Sequence, residues 1–366
     1  MKISRKQVID VLNEIKHPES KKSIVEMGMI EDLIISDDQV RFSLKFKRPN
    51  DPFIESMKRV CVRTINNRFG EGTTRPGQIG IIVPEPPEQK KILSGVKNIV
   101  AVASGKGGVG KSTIAVNLAV SLSKLGFMVG LIDADVYGPS VPKMFNAVEE
   151  SPSARIEDTQ EWIIPIERYG VKMLSIGFFV KPEDAVIWRG PMATSALKQL
   201  INQGDWGELD YLLIDLPPGT GDIHLTMVQE LPVTGVVIVS TPQEVALADA
   251  VKGISMFTGK KINVPVLGLV ENMSWFTPEE LPDNRYYLFG KEGCKKLAEK
   301  MGIRLLGQIP IVQSICESGD RGEPAALSSE TIEGKAFLEL GKSVDEAVQL
   351  RNKTQEPTRK VEVLNK

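Results

Sequence analysis

Gly105-Lys106-Gly107-Gly108-Val109-Gly110-Lys111-Ser112 satisfies the pattern G-x-x-x-x-G-K-S/T and carries a second lysine inside the loop. Glycines let consecutive backbone N–H groups turn inward around a polyphosphate, Lys111 reaches the β- and γ-phosphates, and the Ser112 hydroxyl can ligate Mg²⁺. The flanks supply the order that phosphate binding requires. Residues 98–103 (Asn-Ile-Val-Ala-Val-Ala) read as a buried parallel strand, and residues 113–122, starting at Thr113, read as a helix whose N-terminus faces the loop. The run from Gly105 to Thr113 is therefore the expected cradle for ATP and Mg²⁺.

Beyond it, strands alternate with helices, which predicts an α/β fold: a P-loop NTPase with a mainly parallel sheet covered by helices on both faces. Strands are expected at 128–133, 171–176, 211–215, 233–240, 265–270 and 305–309, and helices near 193–202, 244–258, 291–301 and 335–350. Two strands end in carboxylates, one at Asp133-Ala134-Asp135 and one at Asp215, and side chains at strand C-termini point into the ligand crevice of such a sheet. Mg²⁺ keeps most of its waters, so Asp133 and Asp215 can hold it through them, leaving Asp135 to orient the attacking water. The competing reading is that these aspartates only cap the helices that follow. Residues 216–222 (Leu-Pro-Pro-Gly-Thr-Gly-Asp) form a flexible turn where a loop would meet the γ-phosphate, and His224 just after it reads as structural. Asn272 and Pro310 each follow a strand. They can contact the adenine base, or serve simply as turn residues.

Composition narrows the partners. The chain has 366 residues, a length that predicts two to three domains, and its net charge of -2 supplies no field for bulk nucleic acid or anionic lipid. The first fifteen or so residues hold no apolar signal core, and no run is long enough to span a membrane; the expected setting is cytoplasmic, with no membrane and no nucleic acid as partners. Three scattered cysteines, Cys61, Cys294 and Cys316, fit a reducing compartment rather than a disulfide framework. Residues 1–83 read as a small α+β domain of order α-β-β-α-β: a helix capped by Ser4, a hairpin of strands 29–35 and 40–46, a helix over 52–69 and a strand over 78–83. A Pro-rich charged linker (84–97) leads to the ATPase domain (98–351), and residues 352–366 read as a polar disordered tail.

Lys-Gly-Gly-Val-Gly-Lys-Ser resembles the deviant Walker A loop of MinD/ParA-type ATPases. That resemblance implies a homodimer in which Lys106 reaches the partner's nucleotide, in the manner of an arginine finger; without it Lys106 is an exposed loop lysine. Further stretches are similar to the Mrp/ApbC family of iron-sulfur cluster carrier ATPases: 102–113, Asp133-Ala134-Asp135-Val136-Tyr137-Gly138-Pro139-Ser140, Trp188-Arg189-Gly190-Pro191-Met192, 215–222 and Glu271-Asn272-Met273-Ser274. The first domain resembles the iron-sulfur assembly domain found fused to such ATPases. The family implies an ATPase converting ATP and water to ADP and phosphate, with a transiently bound 2Fe-2S or 4Fe-4S cluster and with apo iron-sulfur proteins and cluster scaffold proteins as partners. A positioning or partitioning ATPase is the alternative; it would carry a basic amphipathic tail or a basic surface.

Here the chain departs from the family. A C-x-x-C pair is expected just after Glu-Asn-Met-Ser, and residues 275–285 (Trp-Phe-Thr-Pro-Glu-Glu-Leu-Pro-Asp-Asn-Arg) hold no cysteine. In the first domain Asp51-Pro52 stands where a cysteine would precede the proline. Cys61 falls on the apolar face of its helix. That leaves Cys294, at an expected helix N-terminus that would favour its thiolate, and Cys316 as candidate cluster ligands, or as structural residues, since single separated cysteines carry no ligand spacing.

Overall fold

The computed structural model describes the chain apart from residues 1–2, 37, 47–50, 84–92, 137, 158–159, 180–189, 260–261, 279, 282–283 and 359–366. The expected linker therefore lies largely outside the described residues, as do Tyr137, Trp188, Arg189 and the end of the tail. The chain divides into two compact units, Met1–Lys90 and Lys91–Lys366.

In the first unit, α1 (Arg5–Asn13) starts at a capping box, with Ser4 Oγ accepting from the Gln7 N–H and Gln7 reaching back to the Ser4 N–H. β1 (Ile30–Ser36) and β2 (Gln39–Lys45) form the expected antiparallel hairpin. α2 (Ile54–Phe69) follows, and β3 (Ile79–Ile82) then joins β2 in parallel. Period-2 alternation in β2 buries Val40, Phe42 and Leu44 against Val8, Leu12, Met57, Cys61 and Ile65 of the helices. Asp51 Oδ1 accepts from the Phe53 N–H and turns the chain into α2.

The second unit runs β4 (Val96–Ala103), α3 (Lys111–Lys124), β5 (Val129–Asp133), α4 (Val141–Met144), β6 (Ser153–Glu157), β7 (Gln160–Ile164), β8 (Ile166–Arg168), β9 (Val171–Ser175), α5 (Gly190–Gln203), β10 (Leu209–Asp215), α6 (Asp222–Glu230), β11 (Gly235–Ser240), α7 (Glu244–Thr258), β12 (Val266–Glu271), α8 (Gly293–Met301), β13 (Leu305–Gln308), α9 (Gln313–Arg321) and α10 (Ile332–Thr354). Eight strands form one sheet in the order β13-β12-β11-β4-β10-β5-β9-β8, parallel except for the edge strand β8. β6 and β7 make a separate hairpin. One face of the sheet is covered by α3 and α10, which bury Ile114, Leu118, Phe337, Leu340 and Val348; the other is covered by α5 to α8, which bury Leu197, Met227, Ile254, Phe257 and Leu297. Burial on both faces is why the central strands read as unbroken apolar runs.

α3 is buried around most of its circumference from Ile114 to Leu122. It accommodates α10 through small residues: a Cβ added at Gly341 would lie 3.1 Å from Ser121 Cβ. α10 runs past residue 351 into the first residues of the expected tail. It continues to Thr354, Asn352 Nδ2 donates to Asn98 Oδ1 (2.8 Å), and Arg351 holds the carbonyl of Glu356 (2.9 Å). Asn352 thus finds its partner on β4, so low hydropathy does not by itself release this part of the chain.

Candidate active site

Each parallel strand after β4 closes on a polar residue: Asp133, Ser175, Asp215, Ser240, Glu271 and Gln308. They line the C-terminal edge of the sheet, and the loop between β4 and α3 sits above its centre. Parallel pairing sets Asp215 opposite both Val102 and Asp133, which brings the two expected carboxylates side by side.

Left-handed glycines shape the loop, Gly108 at φ +80° and Gly110 at φ +79°. Its start is pressed onto α7, where a Cβ on Gly105 would stand 2.1 Å from the Asp249 carbonyl oxygen. Lys106, Gly107 and Gly108 are exposed, with the Lys106 carbonyl accepting from Ser104 Oγ (2.9 Å). The turn after β10 rests on the same loop through the Gly219 N–H, which donates to the Ser104 carbonyl (2.9 Å).

Lys111 points down rather than out. Its Nζ donates to Asp215 Oδ1 at 2.5 Å and approaches Ser112 Oγ at 3.2 Å, and the pair is 6% and 0% exposed. Burial raises the Asp215 carboxyl above its ordinary range, against the pull of the Lys111 ammonium. Asp133 accepts from Ser175 Oγ (2.9 Å) and from the N–H groups of Val141 (3.3 Å) and Asp135 (3.2 Å). Burial, followed by the neighbouring Asp215, pushes its carboxyl up to about 7. Asp215 Oδ2 is buried with no hydrogen-bond partner, and the Ser112 hydroxyl lies beside the carboxyl. An open acceptor between two carboxyls and a hydroxyl fits the hydration shell of Mg²⁺, which takes few direct protein ligands.

Beside the loop lies a cavity of about 470 Å³ lined by Gly110, Thr113, Asn117, Met144, Asn272, Met273, Pro310, Ile315 and Cys316, among others. Asn272 and Pro310 thus converge on one space. Asn272 also donates through Nδ2 to the Val109 carbonyl (2.8 Å), tying the end of β12 to the loop. Glu271, quoted in the sequence only as part of a motif, is fully buried and accepts from Ser274 Oγ, Gln308 Nε2 and the Cys294 N–H, each at 2.7 Å. It and Ser175 follow the rule that found the aspartates: a polar residue closing an apolar strand. Ile315 and Met144 carried no such signal.

Cys294 stands at the expected helix N-terminus, the first turn of α8. It is fully buried, and burial together with the adjacent Glu271 carboxyl pushes its thiol up to about 12 instead of favouring the thiolate. Cys61 is likewise core and pushed up to about 12 by burial. Cys316 is exposed.

Residues 95–345 match the family described as NUBPL iron-transfer P-loop NTPase. The chain belongs to that family. Residues 5–70 match a second family, described as iron-sulfur cluster assembly protein. Among similar proteins, the iron-sulfur cluster carrier protein of Synechocystis sp. is 41% identical over 346 residues, covering 92% of this chain and 96% of the relative. The iron-sulfur cluster transfer protein NUBPL of Dictyostelium discoideum is 48% identical, covering 73% and 82%. A nucleotide-binding protein from Archaeoglobus fulgidus, solved with ADP, is similar at 38% identity and a TM-score of 0.56, covering 66% of this chain and 92% of that one. MinD from Pyrococcus horikoshii, at 22% identity and a TM-score of 0.50, shares the fold. This NUBPL-family NTPase has, among its described residues, no helix long and apolar enough to cross a membrane.

Proposed function

We propose that this chain is an ATP-hydrolysing homodimer that serves the delivery of iron-sulfur clusters to apo-proteins in the cytoplasm, with apo iron-sulfur proteins and cluster scaffold proteins as partners. The observation that carries the ATPase half is the buried Lys111–Asp215 pair beneath a loop with two left-handed glycines, with Asp215 Oδ2 left open. A polyphosphate seated on the loop N–H groups from Gly105 to Thr113 offers Lys111 a second anion, so binding exchanges one ion pair for another. Ser112 would hold Mg²⁺ directly and Asp133 and Asp215 would hold it through water; bound Mg²⁺ screens the charge that builds on the transferring phosphoryl group. Asp135 orients the attacking water, Asn272 and Pro310 receive the base, and the exposed Lys106 extends to the nucleotide of the partner subunit. Cluster delivery is carried by kinship with relatives named as carriers and transfer proteins.

The test is turnover of ATP by purified protein. Lys111→Ala is expected to abolish nucleotide binding or hydrolysis, and Lys106→Ala to leave a protein that binds ATP but hydrolyses it poorly; full turnover by either variant counts against the scheme.

A further inference from the structure

A protein-held 2Fe-2S or 4Fe-4S cluster takes four thiolates in the usual case. This chain has three cysteines. Cys61 is fully buried in the core of the first unit, packed with Met57, Ile65 and Leu12. Cys294 is fully buried at the first turn of α8, with its N–H on Glu271 Oε2 (2.7 Å) and its Sγ 3.8 Å from the Thr241 carbonyl. Ionising it would set a thiolate beside a carboxyl, out of water. Cys316 alone is exposed, and it faces the cavity beside the nucleotide loop. Two copies of the chain therefore present one accessible thiol each, half of what a cluster needs. Among the described residues no group of three or more His, Cys, Asp or Glu is arranged to hold a metal ion. The stretch after Ser274 has other chemistry: Arg285 stacks over Trp275 at 4.3 Å, Phe276 pairs through its backbone with Tyr286 and Ile311, and Tyr286, Tyr287 and Leu288 are exposed. None of these is a thiolate or an imidazole, the ligands that an iron-sulfur cluster takes.

We infer that this chain does not cage an iron-sulfur cluster between its own thiolates, and that during delivery the cluster stays on ligands supplied by the donor and acceptor proteins. The second half rests on the delivery reading above. Transfer is then thiolate exchange: each Fe–S bond broken to the donor is replaced by one to the acceptor, the acceptor thiol's proton passes to the released donor thiolate, and no electron is gained or lost.

Anaerobic reconstitution with ferrous iron and sulfide, followed by desalting and iron and sulfide assay, tests the first half. Wild type is expected to retain no more iron than a Cys61→Ala, Cys294→Ala, Cys316→Ala variant, whereas Thr277→Cys with Glu280→Cys, which places a C-x-x-C pair in the aromatic stretch, gains iron. A stoichiometric cluster on wild type overturns the inference, and single Cys→Ala variants then identify the thiol that held it. Delivery is read separately, as the rate at which a cluster-loaded scaffold protein matures an apo-acceptor with this chain and ATP. No acceleration while ATP is being hydrolysed sinks the delivery reading and leaves the ligand result standing.

Discussion

Asp215→Asn removes the charge on which the loop lysine rests. Lys111 Nζ is 2.5 Å from Asp215 Oδ1 and both groups are buried. At that separation and an effective dielectric constant of about 20, the gross attraction is about 7 kcal/mol. The asparagine carbonyl still accepts the ammonium's hydrogen bond, worth about 2 kcal/mol, and the site no longer desolvates a carboxylate. Against that attraction stand the burial that raises the Asp215 carboxyl and the repulsion between Asp215 and Asp133, both of which asparagine relieves. A carboxyl raised by the fold is one whose charge the fold disfavours, so the nucleotide-free variant is expected to be at least as stable as wild type. The assay is thermal unfolding of nucleotide-free wild type and variant, repeated with saturating ADP and a chelator. ADP must draw Lys111 away from Asp215 in wild type but finds it without that carboxylate in the variant, so ADP is expected to raise Tm by more in Asp215→Asn than in wild type. A nucleotide-free Tm about 6 °C or more below wild type, or an equal ADP shift in both proteins, refutes the exchange of ion pairs.

Two other outcomes follow from single contacts. Gly105→Ala would place a methyl 2.1 Å from the Asp249 carbonyl, a backbone atom that cannot swing aside, so the loop must lift from α7; at about 1–3 kcal/mol of overpacking, affinity for a fluorescent ATP analogue should fall about tenfold or more, and unchanged affinity would deny the close packing. His224 is buried, its Nδ1 accepting from the Gly221 N–H (3.3 Å), and burial depresses its pKa from 6.5 to about 4. Since the unfolded chain binds the proton more readily, stability from this group is complete above about pH 6.5 and is lost as pH falls toward about 4, to a total of about 3 kcal/mol. Denaturant titrations should show a shallower acid slope for His224→Gln than for wild type; parallel slopes would place the acid sensitivity elsewhere.

Much of the site was legible because its signals are local. The glycine–lysine loop, the apolar strand before it and the carboxylates ending two strands need only a few residues of context, and all three meet at the sheet's C-terminal edge. α9 escaped notice because Gln313–Arg321 is short and mostly polar, with Ile315 and Cys316 its apolar residues, yet those two wall the cavity. The β6–β7 hairpin escaped for a related reason: β6 is exposed along its whole length and shows no inward-outward alternation. Around Cys294 a tertiary contact competes with the local rule. A helix N-terminus favours a thiolate only where its N–H groups face the sulfur, and here one of them is taken by Glu271, a carboxyl delivered from β12 across the sheet edge.

Sequence alone determined the class of chemistry, because phosphate binding depends on backbone amides and a lysine that a short motif specifies. It also limited the thiols to three, a number no fold can increase. Tertiary structure decided the rest. It paired Lys111 with Asp215, set Asp133 beside them, joined Asn272 to the Val109 carbonyl and sealed two of the three thiols from water. Those outcomes turn on burial and on neighbours distant in the chain, 104 residues apart for Lys111 and Asp215 and 163 for Val109 and Asn272, and a carboxyl or thiol takes its charge from that surrounding dielectric, which no local pattern encodes.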